Sequence, residues 1–253
     1  MLNLANLLVY FFLIVCYNNH GDLMRKTAIV TGCAKGIGKS IALDLARDGY
    51  NIIGTYNTSY DEVINLKNHI ENIGVNCDLY KVDLSIEEDI NNFCQKINDS
   101  YKNVDVLINN AALSLDCEFK NKTKDEFIKV LEVNLIAPFL LIQKLNIADV
   151  IINIASTDGI NTYTEYNVDY SASKAALINL TKSLSLILSS RIYALCPNWV
   201  NTESVREMNS DYLEEELKRV GQTKLIEPSE VSNKVLNLIL SNKPSGSVIV
   251  MEG

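Results

Sequence analysis

Only two histidines, His20 and His69, occur in the 253 residues, so neither a histidine-built metal site nor a Ser-His-Asp triad has much to draw on. The six cysteines, Cys16, Cys33, Cys77, Cys94, Cys117 and Cys196, include no C-x-x-C pair. That argues against a zinc site or a disulfide framework and fits a reducing compartment, so we expect a cytoplasmic protein without a metal. Cations are outnumbered, 23 Lys and Arg against 31 Asp and Glu, for a net charge of -8. No basic stripe exists to neutralise phosphates, and nucleic acid is not an expected partner. A long apolar run is also missing: Leu7 to Tyr17 is unbroken, yet a membrane span needs roughly 20 residues. The same stretch lacks the basic residues before it and the small-residue cleavage site after it that mark a signal peptide, the first cation being Arg25. Met24 stands directly before the first strand-like run. We read it as the physiological start and residues 1–23 as a translated leader, with an N-terminal anchor as the alternative.

What the chain does contain is 47% hydrophobic residues, enough for one large core, laid out as an alternation. Strands are predicted at Thr27–Val30, Asn51–Tyr56, Asn76–Val82, Val104–Asn109, Val150–Ala155, Arg191–Cys196 and Val248–Met251. Helices are predicted at Ile37–Arg47, Asp61–Ile73, Ile86–Tyr101 and Lys124–Lys144, then along Ala175, Leu177, Leu180, Leu184 and Ile187, and finally near Ser229–Leu240. Short apolar strands alternating with amphipathic helices imply βαβ units with right-handed crossovers. The expected fold is a doubly wound parallel α/β sheet of the Rossmann type, a single domain over residues 24–253.

Two stretches carry chemistry. Thr31-Gly32-Cys33-Ala34-Lys35-Gly36-Ile37-Gly38 joins the first strand to the first helix, where glycines let the backbone turn and approach a pyrophosphate at the helix N-terminus. Tyr170 and Lys174, at i and i+4, share one helix face; an ammonium beside a phenol favours the phenolate and brings a group of pKa about 10 closer to its working range. Each stretch alone has a plain structural alternative, a simple turn or a solvated helix face. Their order along one alternating chain is the stronger signal.

With these marks in place, the chain over Lys26–Gly253 resembles the short-chain dehydrogenase/reductase family in its short, single-domain branch. The spacing T-G-x-x-x-G-x-G is met by Thr31 to Gly38, followed in order by Asp83-Leu84, Asn109-Asn110-Ala111, Asn134, Ser156, Tyr170 and Lys174. The resemblance implies a nicotinamide cofactor and a small-molecule carbonyl or alcohol substrate, similar to those of 3-oxoacyl-acyl-carrier-protein reductases and so with an acyl-carrier-bound substrate among the candidates. It implies that Tyr170 moves the proton, that Lys174 lowers the Tyr170 pKa and holds the ribose, that Ser156 bonds the substrate oxygen, and that Asn134 positions a water leading to Lys174. Asp83 would accept from the adenine amino group and Asn109 would lie along the cofactor. Thr31, Gly32, Lys35, Gly36, Ile37, Gly38, Tyr56, Asn57, Leu84, Ala111, Pro197, Val200 and Thr202 complete the expected cofactor contacts. A homo-oligomer, dimer or tetramer, is implied as well.

The chain departs from the family pattern at Ala112, where glycine is common, at Asn198 after Pro197, and in the short link between Lys144 and Val150. Ala112 would be costly if that position needs positive φ. The substrate loop is expected over residues 198–225, with Trp199, Val205, Met208 and Tyr212 as candidate pocket residues. NADP(H) is favoured over NAD(H): no acid closes the second strand before Asp61, and Lys35 stands where a 2′-phosphate can be paired. The rival reading is a cofactor-binding regulatory module without turnover. A third, the extended epimerase or dehydratase branch, would need a longer chain and a different glycine spacing.

Overall fold

A strand whose neighbouring residues are all apolar must be covered on both faces, and only a parallel sheet sandwiched between helices does this along its whole length. The computed structural model, which describes residues 25–253, builds that sandwich. Seven strands, β1 (Thr27–Val30), β2 (Asn51–Tyr56), β3 (Cys77–Lys81), β4 (Val104–Asn109), β5 (Ile147–Ile154), β6 (Arg191–Pro197) and β7 (Val248–Met251), form one sheet in the order β3-β2-β1-β4-β5-β6-β7. Each neighbouring pair runs parallel. The leader expected over residues 1–23 lies outside the described residues, among which no helix is long and apolar enough to cross a membrane.

The pleat sorts the core into two layers. Ala28 and Val30 of β1 face one layer with Val106 and Ile108 of β4, while Ile29 and Leu107 face the other. The first layer is closed by α1 (Gly36–Arg47), α2 (Tyr60–Ile73) and, at the far end of the chain, α9 (Pro228–Ile239). α1 and α9 bring Ile41, Leu45, Val231 and Val235 together, with the Ser40 hydroxyl donating to Ser232 Oγ at 3.1 Å. Opposite lie α3 (Glu87–Ser100) and a long run from Lys124 to Lys144.

That run was expected as one helix and is built in three parts: α4 (Lys124–Leu131), a π-helical turn (Glu132–Ile136) and α5 (Ala137–Lys144). Thr123 starts it with a reciprocal cap, its Oγ accepting from Glu126 N at 3.2 Å while Glu126 Oε2 accepts from Thr123 N at 2.9 Å. The helix carrying Tyr170, α6 (Val168–Leu184), ends before Ile187, which was expected on it; Ile187 is 76% exposed, because the chain turns at Ser185 to reach β6. Two helices unmarked in the sequence, α7 (Glu203–Arg206) and α8 (Ser210–Val220), fold within the substrate loop.

β1 pairs with both β2 and β4, so the chain reverses its winding there and opens a crevice beyond the carboxyl ends of the strands. Thr31, Asp83, Asn109, Ser156 and Pro197 all sit at those strand ends.

Candidate active site

Two cavities open along this crevice. The first, about 450 Å³, lies over the β1–α1 turn and is lined by Gly32, Lys35, Gly36, Ile37 and Gly38, with Tyr56 and Asn57 beyond β2, Asp83 and Leu84 beyond β3, and Ala111 and Thr202. The turn needs its glycines for definite reasons. Gly36 has φ +51, a left-handed conformation that costs any other side chain strain. At Gly38 an added Cβ would run into the carbonyl oxygen of Gly32 and come within 2.5 Å of the Asn110 amide nitrogen. This close packing leaves a backbone-walled cradle at the start of α1, where the N-H groups that follow Gly36, whose own N-H is held by Glu203, and the helix dipole favour an anion. The donor set therefore fits the pyrophosphate of a dinucleotide.

The second cavity, about 560 Å³, is lined by Ser156, Tyr170 and Lys174 together with Pro197, Val200 and Thr202; Ile37 and Thr202 border both cavities. Ser156 caps the 3-10 turn Thr157–Gly159, its hydroxyl accepting from Asp158 N at 3.1 Å. Tyr170 and Lys174 stand one turn apart on α6, with Lys174 Nζ 5.4 Å from the centre of the Tyr170 ring. Lys174 is buried and donates to Ile154 O at 2.8 Å. Burial pulls its ammonium down to about 8.

The Tyr170 phenol does not follow the expectation drawn from its neighbour. It is pushed well above its usual range, first by burial and then by the Asp158 carboxylate, with hydrogen bonding to Ser156 opposing them. The physical reason is first that the phenol is buried, which disfavours its charged form, and then that the Asp158 carboxylate, not anticipated from the sequence, stands in the same cavity, while Lys174 donates to the Ile154 carbonyl.

Three expected site residues lie behind the cavity walls. Thr31 is buried, and its Oγ accepts from Asn110 N at 2.9 Å and Ala111 N at 3.0 Å, shaping the strand end. Asn109, expected along the cofactor, is buried beneath it and donates to Asn153 Oδ1 at 2.8 Å, which in turn leads to Thr181. Asn134 sits inside the π-helical turn; its side chain accepts from Leu113 N at 2.8 Å and donates to Ser173 Oγ at 3.0 Å. A π turn displaces one carbonyl from the helical ladder, a device common at functional sites.

Lys35 reaches Glu62 Oε1 at 2.7 Å, both side chains being about half exposed. Glu62, in the first turn of α2, was not singled out in the sequence, since only the folded chain brings it beside the β1–α1 turn. Gly36 N donates to Glu203 Oε2 at 3.1 Å, and Lys129 also lines the first cavity. Asp83 accepts from Ser85 N and Oγ at 2.9 and 2.7 Å, which holds its carboxyl below the usual range.

Over the second cavity the substrate loop is held by Gln222, whose Oε1 accepts from Trp199 N at 3.0 Å and whose Nε2 donates to Trp199 O at 2.8 Å. Trp199, Val205 and Met208 line the cavity as expected; Tyr212 instead packs edge-on against Tyr166, ring centres 6.1 Å apart. Among the described residues no non-glycine has positive φ, so Ala112 and Asn198 carry no left-handed strain.

A dinucleotide cradle set beside a Ser, Tyr and Lys trio is the arrangement of an oxidoreductase of the Rossmann class. The short chain dehydrogenase family model matches residues 26–213, and the chain belongs to that family. A relative from Aquifex aeolicus named 3-oxoacyl-acyl-carrier-protein reductase FabG is 31% identical over 243 residues, covering 91% of this chain and 97% of that protein. Among solved structures, a dehydrogenase/reductase from Sinorhizobium meliloti superposes with a TM-score of 0.84 at 27% identity, covering 90% of this chain and 94% of its own. A blue fluorescent protein from a metagenomic library, solved in complex with NADPH, gives 0.82 at 25% identity and covers 90% and 96%.

Proposed function

We propose that the chain is an NADP(H)-dependent carbonyl reductase or alcohol dehydrogenase, in which Ser156, Tyr170 and Lys174 act on the substrate and the β1–α1 turn holds the cofactor. The observation that carries this reading is the meeting of the two cavities at Ile37 and Thr202, which sets the reacting trio beside the nucleotide cradle. The nicotinamide, when bound, supplies or accepts the hydride.

The side chains then have distinct tasks. Tyr170, kept protonated by burial and Asp158, is suited to give its proton to the carbonyl oxygen as the alcohol forms. Ser156 donates to the same oxygen and favours the charge that develops there. Lys174, buried and cationic below about pH 8, adds positive potential behind the phenol and a donor toward the ribose. Asn134, in its π turn, ties the loop after β4 to Ser173 and so keeps that wall in register with α6.

Support for NADP(H) comes from Lys35 and from the NADPH complex of a structural relative. Glu62 tempers it, since a 2′-phosphate has to share Lys35 with a carboxylate already 2.7 Å away. The link to acyl-carrier-bound substrates rests on the naming of the Aquifex relative. A panel of ketones, aldehydes and 3-oxoacyl thioesters, followed through NADPH absorbance, tests the reading. Turnover of at least one member, with NADH less effective, is expected; no turnover across the panel with either cofactor would reject it.

A further inference from the structure

The substrate cavity has a charge character that the reacting trio does not explain. Among the described residues two carboxylates line it, Asp158 and Asp116, and one cation, Lys174, whose ammonium is turned to the Ile154 carbonyl. Asp158 is held in place by the turn that presents Ser156: its N-H donates to Ser156 Oγ at 3.1 Å, and its Oδ1 accepts from Thr162 Oγ at 2.8 Å. No described residue donates to its other oxygen. Arg219, the nearby cation on α8, is taken up by Glu216 through two bonds of 2.9 and 2.6 Å. Asp116 comes from the loop after β4, steadied by the Ser114 hydroxyl at 2.5 Å. The fields of both carboxylates reach Tyr170.

A carboxylate beside the place where a carbonyl oxygen gains negative charge opposes reduction unless something neutralises it. An acceptor left without a donor in such a cavity is best satisfied by the substrate itself, and the same charge repels an anionic one. We propose that Asp158, assisted by Asp116, makes this a site for aldehydes or ketones that carry a hydrogen-bond donor, a hydroxyl or a protonated amine, next to the reacting carbonyl, and turns keto acids away. This rests on the reductase reading above and narrows its substrate class. It places Asp158 as a specificity-determining residue. A plain 3-oxoacyl thioester, which offers only acceptors beside its ketone, is correspondingly a poor match.

The test uses the full chain with NADPH and five small carbonyls: hydroxyacetone, aminoacetone, 2-butanone, pyruvate and the activated dione 2,3-butanedione. The wild-type protein is expected to favour hydroxyacetone or aminoacetone over 2-butanone in kcat/KM by about tenfold or more, since a site carboxylate that the donor-less ketone leaves unpaired discriminates at least this well, and to use pyruvate worst. The hydroxyl and amine arms separate a neutral donor from a cation. Asp158→Asn keeps an oxygen for the Thr162 bond and removes the charge. In it the advantage of the donor-bearing ketone over 2-butanone and the disadvantage of pyruvate should both shrink at least about fivefold, ratios that loss of folded protein does not move. Pyruvate or 2-butanone as the best substrate, or unchanged ratios in Asp158→Asn, would overturn the proposal. Reduction of 2,3-butanedione with no preference among the other four overturns this specificity alone. No turnover of any of the five overturns the specificity, and the reductase reading falls with it only when the wider panel of ketones, aldehydes and 3-oxoacyl thioesters is silent with either cofactor.

Discussion

Lys122 and Asp169 form an ion pair at 2.9 Å with side chains 4% and 0% exposed, directly at the start of α6. Asp169 also accepts from Tyr170 N at 3.0 Å, and Lys122 donates to Leu115 O, so the pair ties the loop after β4 to the residue preceding Tyr170. Lys122→Met leaves the Asp169 carboxylate buried without its cation. A charge stranded in this way costs about 3–5 kcal/mol, whereas replacing both partners by apolar side chains of similar volume is often close to neutral. Against a total stability of about 5–15 kcal/mol the single variant should still fold. At a urea slope of about 3 kcal/mol per molar, its unfolding midpoint should fall by more than about 1 M. The double variant Lys122→Met with Asp169→Leu should recover much of that loss, giving a coupling well outside the scatter of independent sites. Urea unfolding of the wild type, both single variants and the double variant gives the four numbers needed. Single losses under about 1 kcal/mol, or losses that simply add, would refute the view that this pair is a buried tie rather than a solvated contact.

Two further outcomes follow from the site. Lys35→Glu should lower the NADPH over NADH ratio of kcat/KM by about tenfold or more, the scale of losing a charge-assisted bond, while Glu62→Gln should raise it by releasing Lys35; a ratio indifferent to both changes would place the phosphate elsewhere. Lys174 loses its proton near pH 8 in the folded chain and near 10.5 in the unfolded one, so the folded state holds fewer protons between these values and stability rises with pH across that window. Carbonyl reduction should decline as pH rises through about 8, where the folded chain loses the cation, and a Lys174→Met variant should show neither dependence.

The strands were legible because each is a short apolar run closed by turn residues: Thr27–Val30, Asn51–Tyr56, Val104–Asn109 and Val248–Met251 stand where they were expected. Helix ends were harder, since Ile187 continues the apolar period of α6 yet lies past the point where the chain turns toward β6. The π turn around Asn134 has no signature of its own; it exists because the Asn134 side chain meets Leu113 and Ser173 across the fold. Ser156, Tyr170 and Lys174, picked out by motif order, line one cavity. Motif order could not tell that Thr31 and Asn109 lie behind the wall, because a motif records position along a strand and not which way a side chain turns. Charge partners separated in sequence escaped as well. Glu62 beside Lys35, and Asp158 beside Tyr170, become neighbours only when the strand ends are brought together; the first alters the expected cofactor contact, and the second adds to the burial that pushes the Tyr170 phenol up.

The central claim is that Tyr170 carries the proton in a cavity adjoining the nucleotide cradle, and Tyr170→Phe tests it most directly. Trp199, the one tryptophan of the chain, lines that cavity and reports binding by its fluorescence. The account predicts that the variant binds NADPH as the wild type does, by titration of Trp199 emission, while kcat for carbonyl reduction falls by about 10²–10⁴-fold, the usual contribution of a general acid. A variant that binds NADPH and still turns over within a few-fold of the wild type would contradict it.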